Sequence, residues 1–434
     1  MEHVDLLIRE CRILTMDPEG RTFQRGVVAV HNGRIVYVGS DGVRYAGTIE
    51  IDGRGKLLMP GLINAHTHIA MTLLRGIAED IPLNEWLENA IWPREAKLKP
   101  GDVYAGALLG CAELIKTGTT CFNDMYFFMD QVAEAVAKSG LRAVLAEGMI
   151  ERGDLGRGQE ALRRGENFAK NFDGFAEGRV RTRLGPHSEY SCSPEFLCAV
   201  KEKADSLGVG IHMHLAESKG YVDSVARKLG KSAAKELEEI GFLDKNLIAA
   251  HCIHIDQQEI GILADHGVGV AHCPVSNMKV ALGTAKIVDM VSRGVRVGIG
   301  TDGPASNNHV DMLKDMKIAA LAQKSLYGDA TALPAKTLPR MVTIEGAKAL
   351  RLEKLIGSVE VGKRTDLILI DLNKPHLTPP ADPWTTIAHS AMGSDVDTVI
   401  VDGGILMESR RLTEMNEGEI IKKATEVAQE LASR

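Results

Sequence analysis

His66 and His68 stand one residue apart where the apolar stretch "LLMPGLINAH" (57–66) gives way to polar sequence. On a strand, residues i and i+2 point to the same side. Both imidazoles can therefore reach one cation just beyond the strand's end. Histidine suits Zn²⁺, and also Fe or Ni, so residue type alone does not choose the metal. Two imidazoles are too few for a tight catalytic site. Further ligands must come from distant segments, and the best candidates are His214 in "GVGIHMHLAE" (208–217) and Asp302 in "GVRVGIGTDG" (294–303). The competing explanation for any single histidine is a hydrogen-bonded core residue. Repetition of the pattern along the chain argues against it.

These residues need elements to carry them. Between 57 and 350, short apolar runs alternate with longer helical stretches such as 102–118 and 224–241. The runs cover 57–66, 118–125, 141–150, 180–190, 208–217, 246–255, 267–277 and 294–303. Eight such units over about 290 residues fit a (β/α)8 barrel of the TIM type. A doubly wound sheet would also satisfy the alternation by itself. Five of the eight runs end near a histidine, in a chain with 14: His66 and His68, His187, His214, His251 and His254, and His272. In a barrel these strand ends converge on one mouth, where active sites form. His254 is expected to be structural or on the surface, and His272 to support the site or line its wall.

The two ends of the chain read differently. The first 55 or so residues are β-rich, with a hairpin at 29–39 turning on Asn-Gly. Strand-period alternation returns at 357–372 and 396–412, and a helix at 416–433 closes the chain. Neither end alone has enough strands to bury a core. Segments 1–56 and 355–434 are therefore expected to form one composite β-sandwich with the terminal helix, around a catalytic barrel at 57–354. The chain is 44% hydrophobic and 25% charged, with net charge −7, which gives no nucleic-acid footprint. No run approaches the roughly 18 apolar residues of a membrane span, and the N-terminus lacks the pattern of an export signal. Seven cysteines without paired spacing suit reduced thiols in a cytoplasm.

"PGLINAHTH" and "GIGTDGPASNN" resemble the first-strand and eighth-strand metal signatures of the amidohydrolase superfamily, and the likeness spans nearly the whole chain. "HMHLAES" is similar to the fifth-strand segment of its deaminase branch. "IWPREAKL", "GPHSEYSCS" and "AAHCIHI" further resemble the 5′-methylthioadenosine/S-adenosylhomocysteine deaminases. The resemblance implies one divalent ion, usually zinc, held by His66, His68, His214 and Asp302. It implies that Glu217 shuttles protons and that Glu95 and His187 contact a small-molecule nucleoside. An arginine of the third barrel loop can also contact substrate, and Arg152 is the choice here among Arg152, Arg157, Arg163 and Arg164. Two-metal relatives bridge their ions with a lysine on strand four, and the fourth run has none, so one ion is expected.

The expected reaction is hydrolytic deamination at C6 of an adenine nucleoside. Glu217 protonates N1, His251 hydrogen-bonds to the new oxygen, and Asp302 passes a proton to the departing amino group. The runner-up is another one-metal aminohydrolase or chlorohydrolase acting on guanine, a pterin or a triazine. A non-catalytic barrel is disfavoured because every site residue is present. The resemblance also implies a homo-oligomer.

Overall fold

The computed structural model describes residues 2–41, 44–379 and 382–434. Eight parallel strands form the central sheet in chain order: Leu62–Thr67, Thr119–Tyr126, Arg142–Met149, Val180–Pro186, Gly210–Leu215, Leu247–His251, Gly269–His272 and Arg296–Ile299. The second and third are buried at every residue, as strands covered on both faces must be. The eighth strand returns to the first and nearly closes a barrel. There, Asp302 N–H donates to His66 O at 3.0 Å. Gly300 permits this approach, since a Cβ on it would lie 2.8 Å from the His66 backbone nitrogen.

The run 57–66, expected as one barrel strand, is two strands in different sheets. Lys56–Pro60 pairs antiparallel with Leu367–Asp371 in the outer sheet. The chain bends at Gly61, where a Cβ would sit 2.0 Å from the Thr120 hydroxyl, and Leu62–Thr67 then enters the barrel. Both pieces are buried in apolar surroundings, so hydrophobicity alone shows no break between them.

Strands from both chain ends form one nine-stranded mixed sheet. The long first strand, Glu2–Leu14, pairs with Thr22–His31, Tyr45–Asp52 and Lys56–Pro60, and Thr22–His31 pairs in turn with Arg34–Gly39. Leu367–Asp371, Val396–Val401, Gly404–Glu408 and Arg411–Leu412 continue it. The sheet folds back so that the turn at Gly33 meets the segment leading into Leu367–Asp371. Thr365 N–H donates to Gly33 O at 3.0 Å, and Gly403 N–H donates back to Thr365 O at 3.3 Å. The expected sandwich is this sheet folded over its own apolar cluster, which includes Leu6, Ile8, Val28, Leu58, Leu369 and Ile400. The terminal helix, Glu417–Ser433, buries Ala424 and Val427 against Leu73 and Ala105 of the barrel layer.

Candidate active site

His66 is the penultimate residue of the first barrel strand, and His68 follows that strand directly. His214 lies near the end of the fifth strand, and Asp302 three residues beyond the eighth. The ligand atoms of His66, His68 and His214 all lie within 4.8 Å of one another, as do those of His66, His251 and Asp302. Asp302 Oδ1 is 3.4 Å from His66 Nε2 and 3.3 Å from His68 Nε2. His68 Nε2 and His214 Nε2 are 3.3 Å apart.

Each of the three imidazoles is anchored through its other nitrogen. His68 Nδ1 meets Met125 O, His214 Nδ1 meets His187 O at 2.7 Å, and His66 Nδ1 meets the His212 ring. Such anchoring orients metal-binding histidines and fixes their tautomer. Asp302 Oδ2 accepts from Ser276 Oγ at 2.5 Å and Ser306 Oγ at 3.0 Å, which leaves Oδ1 facing the imidazoles.

The electrostatics suit a cation. Burial pushes the His66 imidazole down to about 3 and holds His68 and His214 below the usual range, so all three are neutral donors. Burial opposes the charge on Asp302, but the neighbouring His66, His251 and His68 side chains outweigh it and keep the carboxylate ionised. His66 Nε2 is buried without a hydrogen-bond partner among the described residues. Three neutral imidazoles, one carboxylate and an unpartnered nitrogen fit one divalent ion of the zinc type.

Three backbone positions beside this cluster take left-handed angles: Asp302 at φ +61°, His251 at +70° and Ala216 at +50°. Each costs roughly 1–3 kcal/mol in a residue with a Cβ. Here they turn the chain sharply at strand ends and aim side chains into the mouth.

A cavity opens over the cluster. Glu217 and His251 lie on its wall, with Glu217 Oε1 3.7 Å from His251 Nε2. Burial raises the Glu217 carboxyl above the usual carboxylate range. Burial works against a charged His251, but Glu217 and Asp302 overcome it and raise that imidazole. His251 Nδ1–H donates to Asn277 Oδ1 at 2.8 Å. His187 Nδ1 lies 3.0 Å from Ser188 Oγ and 3.1 Å from Ser191 Oγ. A serine hydroxyl donating there leaves Nε2–H for a ligand.

The roof of the cavity comes from the loop after the first strand. Leu83–Glu85, a π-helical turn at Trp86–Ile91, and Trp92–Glu95 bring Leu83, Trp86, Ile91, Trp92 and Glu95 over the site. π turns recur at functional sites because the extra residue re-aims side chains. Burial pushes the Glu95 carboxyl up to about 7, and Tyr126 Oη–H donates to its Oε1 at 2.8 Å.

The amidohydrolase family model matches residues 57–406. The chain belongs to the amidohydrolase family. Among amidohydrolases, it is 45% identical to a 5′-deoxyadenosine deaminase of Methanosarcina acetivorans over 430 residues, 99% of each chain. It is 46% identical to a 5-methylthioadenosine/S-adenosylhomocysteine deaminase of Moorella thermoacetica, over 97% of this chain and 98% of the other. A zinc-bound adenosine deaminase structure from Xanthomonas campestris superposes with a TM-score of 0.93 at 33% identity, over 100% of both chains.

Within this amidohydrolase site, His68, His214, Asp302, Glu217, His251, His187 and Glu95 line one hollow, with His66 buried behind them. Arg152 stands apart. Its guanidinium lies 4.3 Å from the centre of the Trp92 ring, and it lines a neighbouring hollow with Glu189 and Lys228. Trp92 and Tyr190 border both hollows. His272 is fully buried, and neither ring nitrogen has a hydrogen-bond partner among the described residues. His254 is half-buried.

Sequence reasoning missed Tyr126, Asn277, Ser276, Ser306 and His212. A signal existed for His212, which repeats the His-x-His spacing on strand five. The hydroxyl and amide partners carry no such spacing.

Proposed function

We propose that this chain is a zinc-dependent deaminase of adenine nucleosides. It converts 5′-deoxyadenosine, 5′-methylthioadenosine, S-adenosylhomocysteine or adenosine, with water, into the hypoxanthine analogue and ammonia. The observation that carries this reading is the placement of a raised carboxyl, Glu217, beside the His66–His68–His214–Asp302 cluster, in a cavity with a carboxylate, Glu95, on its roof. The relatives named above support the substrate class.

A zinc ion held by His66, His68, His214 and Asp302 would lower the pKa of water from about 15.7 to about 7 and so make hydroxide available at neutral pH. The chain's own groups do the rest. Glu217 delivers a proton to N1, so the ring can accept electrons as C6 is attacked, and it regains one from the water that ionises to hydroxide. His251 keeps Nδ1–H on Asn277 and, when protonated, donates from Nε2 to the oxygen added at C6. Asp302 Oδ1 takes the nucleophile's proton and returns it to the amino group, which leaves as ammonia. His187 Nε2–H donates to a purine ring nitrogen. Glu95 uses Tyr126 on Oε1 and offers Oε2 to the ribose hydroxyls. The apolar roof excludes water.

No helix among the described residues is long and apolar enough to cross a membrane. The reading extends to a homo-oligomer in the cytoplasm. All seven cysteines are unpaired, as a reducing compartment favours. Leu321 and Leu326 are about half exposed on the helix Met312–Tyr327, as suits a contact between subunits.

The test is ammonia release from the four adenosine analogues, guanine and melamine, with metal analysis of the same preparation. Turnover of at least one adenosine analogue, with about one zinc per chain, is expected. Strong guanine turnover with none of the adenosine type overturns the substrate assignment.

A further inference from the structure

Of the three imidazoles in the cluster, two are oriented by backbone carbonyls: His68 by Met125 O and His214 by His187 O. Those acceptors are fixed by the fold and survive most substitutions. His66 differs. Its Nδ1 lies 2.8 Å from Nε2 of His212, a side chain across the barrel interior. Both rings are fully buried and stand nearly perpendicular, with centroids 4.9 Å apart and planes at 87°. Asn123 Nδ2 lies 3.2 and 3.3 Å from the two nitrogens of His212 and also donates to Ala65 O at 2.9 Å, so the ring is wedged in place.

Only one proton fits between two nitrogens at this separation. If His212 held it, His66 would be left with its own proton on Nε2, the atom that faces Asp302. If His66 holds it, Nε2 presents a bare lone pair to the cluster. Only the second arrangement binds a metal ion, and it requires His212 Nε2 to act as acceptor.

We propose that His212 is a positioning residue that sets the tautomer and ring plane of His66, and through it the tightness with which the chain holds its divalent ion. This rests on the reading of His66, His68, His214 and Asp302 as a metal site. His212 touches neither substrate nor ion. Its effect belongs to metal affinity first and to turnover only through occupancy.

The test compares wild type, His212→Phe and His212→Gln by zinc affinity in competition with a chelator. Cobalt-substituted absorption spectra and melting of the metal-free proteins accompany it. His212→Phe removes the acceptor, and a 10–100-fold loss of zinc affinity with an altered cobalt spectrum is expected. His212→Gln offers a side-chain carbonyl to the same N–H and is expected to recover most of the loss. Zinc affinity unchanged in His212→Phe overturns the proposal. So does equal weakening in both variants alongside equally lowered metal-free melting, which marks a packing role. Wild-type protein that binds no zinc defeats the metal-site reading itself, whereas tight wild-type binding beside an unaffected His212→Phe defeats only the role of His212.

Discussion

At the lower end of the barrel, Arg142 opens the third strand and meets Asp366, just before the outer-sheet strand Leu367–Asp371, through two hydrogen bonds, at 2.7 and 3.0 Å, with the side chains 3% and 2% exposed. Nearby, Arg183 donates to the carbonyls of Asn246, Ile211 and Leu350. At the upper end, His66 Nε2 is buried without a partner, and so is Glu189 Oε2. There too Asp302, His251 and Ala216 sit in left-handed conformations. The two buried arginines of the lower end find their partners within the fold. The upper end leaves polar atoms and strained turns facing a hollow. The contrast separates residues that hold the barrel together from residues kept ready for a ligand.

The strongest way to break this contrast is Glu217→Gln. It should lower turnover by about 10²–10⁴-fold, the range for a positioned acid or base, while zinc content and melting temperature stay near wild type. Ammonia release with metal analysis checks it, and a large loss of stability would show that the upper end also has a structural duty. The reciprocal change, Arg142→Ala, strands a buried carboxylate. It should cost about 3–5 kcal/mol of stability with kcat per folded molecule within about twofold of wild type. Denaturant unfolding and active-site titration separate the two quantities.

Glu95→Gln sharpens the picture of the roof. Losing a charged hydrogen-bond acceptor is worth about 1.5–3 kcal/mol, so KM should rise about 10–100-fold with a smaller change in kcat. The Glu95 carboxyl titrates at about 7 in the open site, above its ordinary range. Wild-type KM should therefore fall as pH rises through about 7, because only the ionised group accepts two hydrogen bonds. The folded protein holds this proton more tightly than the unfolded chain. Its contribution to stability is therefore present at low pH and disappears as pH climbs from the ordinary carboxylate range to about 7. Glu95→Gln should remove both trends. The smallest effect expected is Ser306→Ala. It deletes one of two hydroxyls on Asp302 Oδ2 while Ser276 remains. A cost of about 0.5–1.5 kcal/mol, read as a severalfold drop in kcat/KM, is the expected outcome.

Much of the fold and most of the cluster were legible because they depend on local repetition. Apolar runs end in histidines at regular intervals, and a parallel barrel turns those sequence positions into one spatial rim. Two imidazoles at i and i+2 on a strand share a direction whatever the tertiary details. Residues set by long-range packing were less visible. Tyr126 reaches Glu95 across 31 positions, and Asn277 reaches His251 across 26. Nothing local distinguishes that tyrosine or asparagine from its neighbours. Arg152 shows the same limit from the other side. Its loop permits several directions, and the Trp92 ring captures the guanidinium away from the metal cluster. The break at Gly61 was hidden because two sheets bury consecutive segments of one hydrophobic run.

That break has a mechanical consequence. Pro60 is stitched into the terminal sheet, and six residues later the same backbone presents His66. The outer sheet thus acts as a brace behind His66 and His68. Trimming the chain's ends would unsettle these two imidazoles well before the barrel itself came apart.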